Sequence, residues 1–275
     1  MTTQEEKART FQALHERPEA FIIPNPWDAG TAKILAAIGF EALATTSFGV
    51  ANMLGRRDAV VTSEDVLENC HAIAAATNLP VSADLENCFA DAPRAAAQMI
   101  GRAAEAGVVG GSIEDFTGDR AKPIYDFNLA VERVQAAVEA ARALPFPFVL
   151  TARAENLLHG RDDQDDTIRR LQAFEAAGAD VLYAPGTKDL DTIRRVVSAV
   201  GKPVNVVMGF ADPSITLEQL SEAGVRRVSV GGAMSRVALA AFVNAAREMR
   251  EQGGFTFIRD MLPAGELRDF FRGGH

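Results

Sequence analysis

The sequence has 275 residues, 48% hydrophobic and 24% charged, which is enough to bury a core without staples and too apolar for wholesale disorder. A formal net charge of -9 disfavours a polyanion such as DNA or RNA as partner. Two cysteines, Cys70 and Cys88, are too few for a disulfide framework or an all-cysteine zinc site, and they suit a reducing cytoplasm.

The chain opens on MTTQEEKARTFQALHERPEA, which lacks a basic segment followed by an apolar stretch. No secretory signal is expected there, and no apolar run is long enough to predict a membrane span. Phe21-Ile22-Ile23 reads as a first strand. One pattern then repeats: an amphipathic helical stretch ends in a small residue or glycine, a short β-branched run follows, and a polar loop closes the unit. It recurs at AAIGFEALATT, ATNLPVSADLE, AEAGVVGGSIED, ALPFPFVLTARAE, AAGADVLYAPG, AVGKPVNVVMG and EAGVRRVSVGG. The runs do not alternate, as expected for strands buried on both faces.

Strands are therefore predicted to begin near Ala20, Glu41, Pro80, Gly110, Phe146, Asp180, Pro203 and Arg226. Their spacing of about 20–40 residues is that of a βαβ unit. The prediction is a (β/α)8 barrel of the TIM type, one domain over residues 1–275. An open doubly wound sheet is the alternative, but its Gly-rich first turn is missing. From Ala233 to Arg250 runs one long helical pattern, followed by a tail with Phe255, Phe257, Phe270 and Phe271. This extension, about 233–275, packs under its own barrel or meets another subunit.

Chemistry in such barrels sits at the C-terminal strand ends. The second strand leads to Thr45, Thr46, Ser47 and then Asp58; the third to Asp84 and Glu86; the fourth to Glu114 and Asp115; the fifth to Arg153, Glu155 and Asn156. Asp84 and Glu86 share one side of a strand end, and Glu114 adds a third carboxylate. Like charges so close need compensation. An all-oxygen set favours Mg2+ or Mn2+ over Zn2+; alternatively the acids pair with arginines such as Arg153. Arg153, after a buried strand, needs a carboxylate partner, from the protein or from substrate. The loop at Thr45–Gly49 has backbone N–H groups to offer an anion. Gly231-Gly232 reads as a tight turn rather than a phosphate grip. His159 is a candidate acid or base, and Cys88 is a reactive or a buried thiol. No P-loop, dinucleotide, HExxH or GxSxG motif is present.

The segments NPWDAGTAKI, TTSFGVANMLGRRD, SADLE, SIED and TARAE together resemble the isocitrate lyase/phosphoenolpyruvate mutase superfamily, over about Phe21 to Arg250. The resemblance implies a modified (β/α)8 barrel whose last helix is swapped between subunits, giving a homodimer or a dimer of dimers. It also implies Mg2+ and a small 2-oxo or dicarboxylic acid. By position, Asp84 is then the direct metal ligand, and Asp58, Glu86 and Glu114 hold metal-bound water. Thr46, Ser47 and Phe48 bind the substrate carboxylate, and Arg153 clamps the same ligand. Family lyases carry a cysteine on the loop after the fourth strand; here that loop is FTGDRAKPIYDFN, without one. Lys122, Asp119, Tyr125 and His159 are the candidate proton donors. The expected activity is a carbon–carbon lyase or decarboxylase acting through an enolate. The alternatives are a phosphorus–carbon hydrolase or mutase, and a barrel that binds 2-oxo acids without turnover.

Overall fold

The computed structural model describes residues 2–58 and 60–272. Eight parallel strands alternate with helices: β1 (Phe21–Ile23), β2 (Leu43–Ala44), β3 (Val81–Ala83), β4 (Gly110–Glu114), β5 (Val149–Arg153), β6 (Val181–Tyr183), β7 (Val204–Val207) and β8 (Arg227–Ser229). The helices are α1 (Gln4–Glu16), α2 (Ala29–Ile38), α3 (Ser47–Met53), α4 (Ser63–Ala76), α5 (Pro93–Glu105) and α6 (Phe127–Arg142). They continue as α7 (Gln164–Ala176), α8 (Leu190–Ser198), α9 (Leu217–Glu222), α10 (Ala233–Arg247) and α11 (Ala264–Phe270).

Sheet order is β1-β8-β7-β6-β5-β4-β3-β2. The remaining seam between β1 and β2 is bridged at its top, where Ala44 N donates to Pro24 O at 3.0 Å. The barrel is thus nearly closed, a TIM-type (β/α)8 fold as the repeated pattern predicts.

Local sequence explains where the helices begin. Thr3, Asp28 and Thr62 each form a capping box at the start of α1, α2 and α4. Pro93 opens α5, where its missing N–H costs nothing. The small apolar faces of these helices pack on the strands around Leu43, Ile73, Ile100, Val134 and Phe174.

The floor of the barrel is sealed by α1. Its Ala8, Phe11 and Leu14 are fully buried against Phe21, Val149 and Val181. Gly110 makes this seal possible: a Cβ there would lie 2.7 Å from the Phe11 ring and 2.9 Å from the Val149 carbonyl. Chemistry is therefore confined to the opposite end, the mouth.

The C-terminal extension does not bury its apolar face on its own barrel. On α10, Val237 is 72% and Phe242 71% exposed, and Phe255, Ile258 and Met261 beyond it are exposed too. The helical run continues past Arg247, widening into a π-helical turn over Glu248–Gln252 that ends at left-handed Gly253. Among the described residues no helix is long and apolar enough to cross a membrane.

Candidate active site

At the mouth, alternate residues of each strand point inward. Ser82 and Asp84, Ser112, Thr151 and Arg153, and Arg227 and Ser229 all line one cavity of about 170 Å³. A second, outer chamber of about 450 Å³ adjoins it and adds Glu86, Glu114, Glu155, Arg120 and His159. Asp84, Arg153, Ser47 and Asp58 line both, so they form the shared wall.

Asp84 is the best-fixed carboxylate of that wall. Its Oδ1 accepts from Arg153 Nη1 at 3.0 Å, and its Oδ2 accepts from the Ser47 amide at 3.0 Å. Its own amide donates to Thr45 Oγ1 at 2.9 Å. Thr46 caps α3 by accepting from Gly49 N, which sets Ser47 and Phe48 at the mouth. The N–H of Ser47, one of those available in sequence for a ligand, is thus occupied by Asp84.

Arg153 is the charge hub. Besides Asp84 it meets Glu155 Oε1 at 2.7 Å and Glu114 Oε2 at 3.2 Å, and its guanidinium lies 5.1 Å from the Tyr183 ring centroid. Burial opposes its charge, but Glu114, Glu155 and Asp84 together hold it well above the usual arginine value. Burial pushes Glu114 well above the usual carboxylate range despite Arg153, with Glu155, Asp84 and Glu86 adding to the rise. Both alternatives for Arg153 therefore have support in one geometry: it pairs with protein carboxylates and faces the ligand space.

Glu86 marks the acid excess. Burial, then Asp84 and Asp58, push it up to about 7, and its Oε1 is buried without a hydrogen-bond partner. Its backbone is left-handed (φ 49°), as are Cys88 and Phe89. Arg133 from α6 holds this loop by donating to the carbonyls of Asn87, Ala90 and Asp91, with Tyr125 stacked on its guanidinium. An orphaned carboxylate oxygen among like charges is the environment a divalent cation relieves. Among the described residues no three acids, histidines or cysteines converge into a ready cage. The donor set still fits Mg2+, which binds through one or two carboxylates and keeps its waters.

The other sequence candidates divide. His159 reaches the outer chamber, stacked on Phe116 (3.8 Å, 4°) with Nε2 3.6 Å from Glu155 Oε2. Lys122 does not come to the site: its ammonium pairs with Asp126 at 3.2 Å on the exposed face of the loop. The reason is the bridge between Phe116 and Ile124, which turns the loop back and leaves Lys122 on its outer side. Asp119 is likewise exposed, and the Tyr125 hydroxyl donates to Asp91. Cys88 is buried, and burial raises its thiol to about 12, so it is inert. The Val230 and Gly231 amides both donate to Asn25 Oδ1, at 2.9 and 2.8 Å, so the Gly231-Gly232 corner is a turn.

Two contributors, Asn25 and Arg227, are missing from the sequence reading, and a third, Asp115, stands in it without a role. Asn25 locks β8 to β2 through those bonds and one from its Nδ2 to Thr45 O. Asp115 ties the Glu155 amide to Arg170, at 2.8 and 3.0 Å, and so fixes the end of β5. Arg227 lines the cavity from within the barrel. Only the acid doublet Glu114-Asp115 carries a readable signal, since strand alternation sends its two members to opposite sides.

The family model for phosphoenolpyruvate phosphomutase matches residues 11–250. An oxaloacetate decarboxylase of Chromohalobacter salexigens is 26% identical over 90% of this chain and 87% of its own. The 2-methylisocitrate lyase of Escherichia coli K12 is 29% identical over 92% and 88%. A Burkholderia cenocepacia J2315 structure, assigned provisionally to the lyases or mutases, is 57% identical, with a TM-score of 0.95 over 98% of this chain and 97% of that one. With a family model covering most of its length and an enzyme-type mouth, the chain belongs to the phosphoenolpyruvate phosphomutase family, within the isocitrate lyase/phosphoenolpyruvate mutase superfamily.

Proposed function

We propose that this enzyme is a Mg2+-dependent carbon–carbon lyase or decarboxylase acting on a small 2-oxo or 2-hydroxy dicarboxylate. The observation that carries the reading is the Asp84–Arg153 wall, a fixed carboxylate and a buried guanidinium side by side between two chambers. Relatives that are oxaloacetate decarboxylases and a 2-methylisocitrate lyase support the substrate class. Enzymes of this superfamily are generally dependent on a divalent metal.

Asp84, with Asp58, Glu86 and Glu114 through water, would hold Mg2+ (or Mn2+), which supplies a Lewis acid for the carboxylate and carbonyl oxygens of the substrate. Thr46, Ser47 and Phe48 border the same end of the ligand. When the carbon–carbon bond of a 2-oxo acid breaks, its electron pair passes onto the carbonyl oxygen as an enolate and CO2 leaves; from a 2-hydroxy acid a carbonyl fragment leaves as a carboxylate of the mouth takes its hydroxyl proton. Arg153 stabilises that charge in a water-poor site, a contribution typically of about 3–4 kcal/mol. His159, within reach of Glu155 and facing the outer chamber, returns a proton to carbon. Phosphorus–carbon chemistry has less support, because Asn25 occupies the amides that would grip a phosphoryl group.

The test is calorimetric titration with oxaloacetate, 2-oxoglutarate and pyruvate, with and without Mg2+, followed by product assay. Metal-dependent binding with turnover, both abolished in Asp84→Ala, is expected. Binding unchanged in Asp84→Ala would overturn the metal assignment. Metal-dependent binding without turnover of any acid would replace the lyase with a 2-oxo-acid-binding barrel.

The exposed face of α10 also fits the swapped helix that the resemblance implies, and we propose a homodimer or dimer of dimers built on it.

A further inference from the structure

The arginine inside the barrel is unlike the one at its rim. Arg153 has three carboxylate partners. Arg227 is buried to 6% exposure, yet its hydrogen bonds run only to neutral atoms. Nε donates to Asn205 Oδ1 at 2.8 Å, Nη2 to Thr151 Oγ1 at 2.9 Å, and Nη1 to His15 Nε2 at 3.5 Å. No ion pair to it exists among the described residues; burial, above all, and the Arg153 cation disfavour its charge, against which only the Tyr183 hydroxyl acts. A buried cation without a counter-ion is costly. The guanidinium fork has further N–H donors to give.

Its surroundings are those of a ligand wall. Ser82, Ser112, Asn205 and Ser229 line the same cavity, so hydroxyl and amide groups replace the aliphatic filling usual in a barrel interior. Thr151, which Arg227 touches, stands two residues below Arg153 on the same face of β5. At the rise of a strand, that is about 6.6 Å below the rim. A four-carbon chain spans this depth with the help of the side chains.

We infer that Arg227, with Asn205 and Ser229, forms an inner subsite for a second carboxylate of the substrate, reached by a ligand whose first carboxylate sits at the rim, beside Arg153 and at the Mg2+ that Asp84 would hold. The inference rests on the lyase reading and adds that the substrate points into the barrel with an anionic tail. Asn205 couples the two wall groups: its Oδ1 accepts from Arg227 while its Nδ2 donates to Ser229 Oγ at 3.1 Å. The subsite is therefore prearranged rather than assembled on binding.

Calorimetry with Mg2+ separates the two levels. Oxalate is short and reports only the rim; malate carries the second carboxylate; 2-hydroxybutyrate replaces that carboxylate with methyl. Wild type is expected to bind malate roughly 10- to 100-fold more tightly than 2-hydroxybutyrate, the range for hydrogen bonds to a charged group. Arg227→Met is expected to remove that preference while leaving oxalate affinity within about twofold. Parallel loss of oxalate and malate, or loss of neither, would overturn the subsite in favour of a purely structural Arg227. Should Arg227→Met fail to fold, the wild-type comparison decides alone, and equal affinity for malate and 2-hydroxybutyrate rejects the subsite. Failure of wild type to bind oxalate at all would instead overturn the lyase reading, and the subsite with it.

Discussion

Arg153 Nη1 lies 3.0 Å from Asp84 Oδ1, and this bond joins β5 to β3 above the intervening β4. The strand it passes over contributes Glu114 to the same guanidinium. Neighbouring strand ends are thus clamped by one cation, which fixes the carboxylates that a metal and a substrate would meet. The clamp is preorganised, so little rearrangement is needed when charge develops nearby.

Arg153→Gln is accordingly expected to cost both activity and stability. Glu114 and Glu155 are left buried without their cation, a loss of about 3–5 kcal/mol when one partner of a buried pair is removed. Turnover should fall roughly 100- to 1,000-fold, the scale of one missing oxyanion donor. Urea unfolding and kcat/KM measured together check this. A stable, active Arg153→Gln would remove the clamp from the mechanism.

The barrel and most of its rim are legible in the sequence because both rest on local rules. Each predicted strand start falls within three residues of an observed one, since a helix ending in a small residue and a β-branched run mark the same boundary. Asp84, Glu114 and Arg153 converge because each ends an inward-facing alternation on adjacent strands. What is hidden depends on register and loop path. Arg226 and Arg227 look alike in sequence, but pairing with β7 turns Arg227 inward and leaves Arg226 partly exposed; a one-residue slip would exchange them. Lys122 is misplaced by sequence because nothing local announces the Phe116–Ile124 bridge.

His15 gives the floor a pH dependence. Its Nδ1 donates to Phe11 O at 2.8 Å, and Nε2 faces Arg227, so the ring is neutral. Burial, with the Arg227 charge, lowers it from 6.5 to about 3. Between those values the unfolded chain binds a proton that the folded chain does not, so this contribution is fully present above pH 6.5 and is lost as pH falls. The slope is about 1.4 kcal/mol per pH unit. Urea midpoints at pH 5 and pH 7.5 should therefore differ more in wild type than in His15→Gln, whose amide keeps an acceptor for Arg227 without titrating. Equal differences in the two proteins would show that His15 is not the group responsible.

Gly232 is a shape requirement at the mouth. A Cβ on it would lie 2.3 Å from the Phe48 ring, and Phe48 borders the cavity beside Asp84. Gly232→Ala must push Phe48 aside. Because that displacement falls on the rim and not on the core, KM should rise several-fold with a stability change of about 1–3 kcal/mol or less. An unchanged KM would show that Phe48 does not border the bound substrate.

The face of α10 tests the assembly. Phe242 is more than two thirds exposed and shares one side of the helix with Leu239 and Val243, while Val237, equally exposed, lies on another side. Isolated exposed apolar residues need no explanation, but three on one side of a helix suit the interface proposed for it. Phe242→Glu places a charge on that side and should shift the sedimentation profile towards monomer while the barrel stays folded. Removing residues 254–275 should leave the barrel folded and the oligomer intact if α10 carries the contact. Monomer produced by the truncation but not by Phe242→Glu would move the interface into the aromatic tail, where Phe255, Ile258 and Met261 offer the alternative surface.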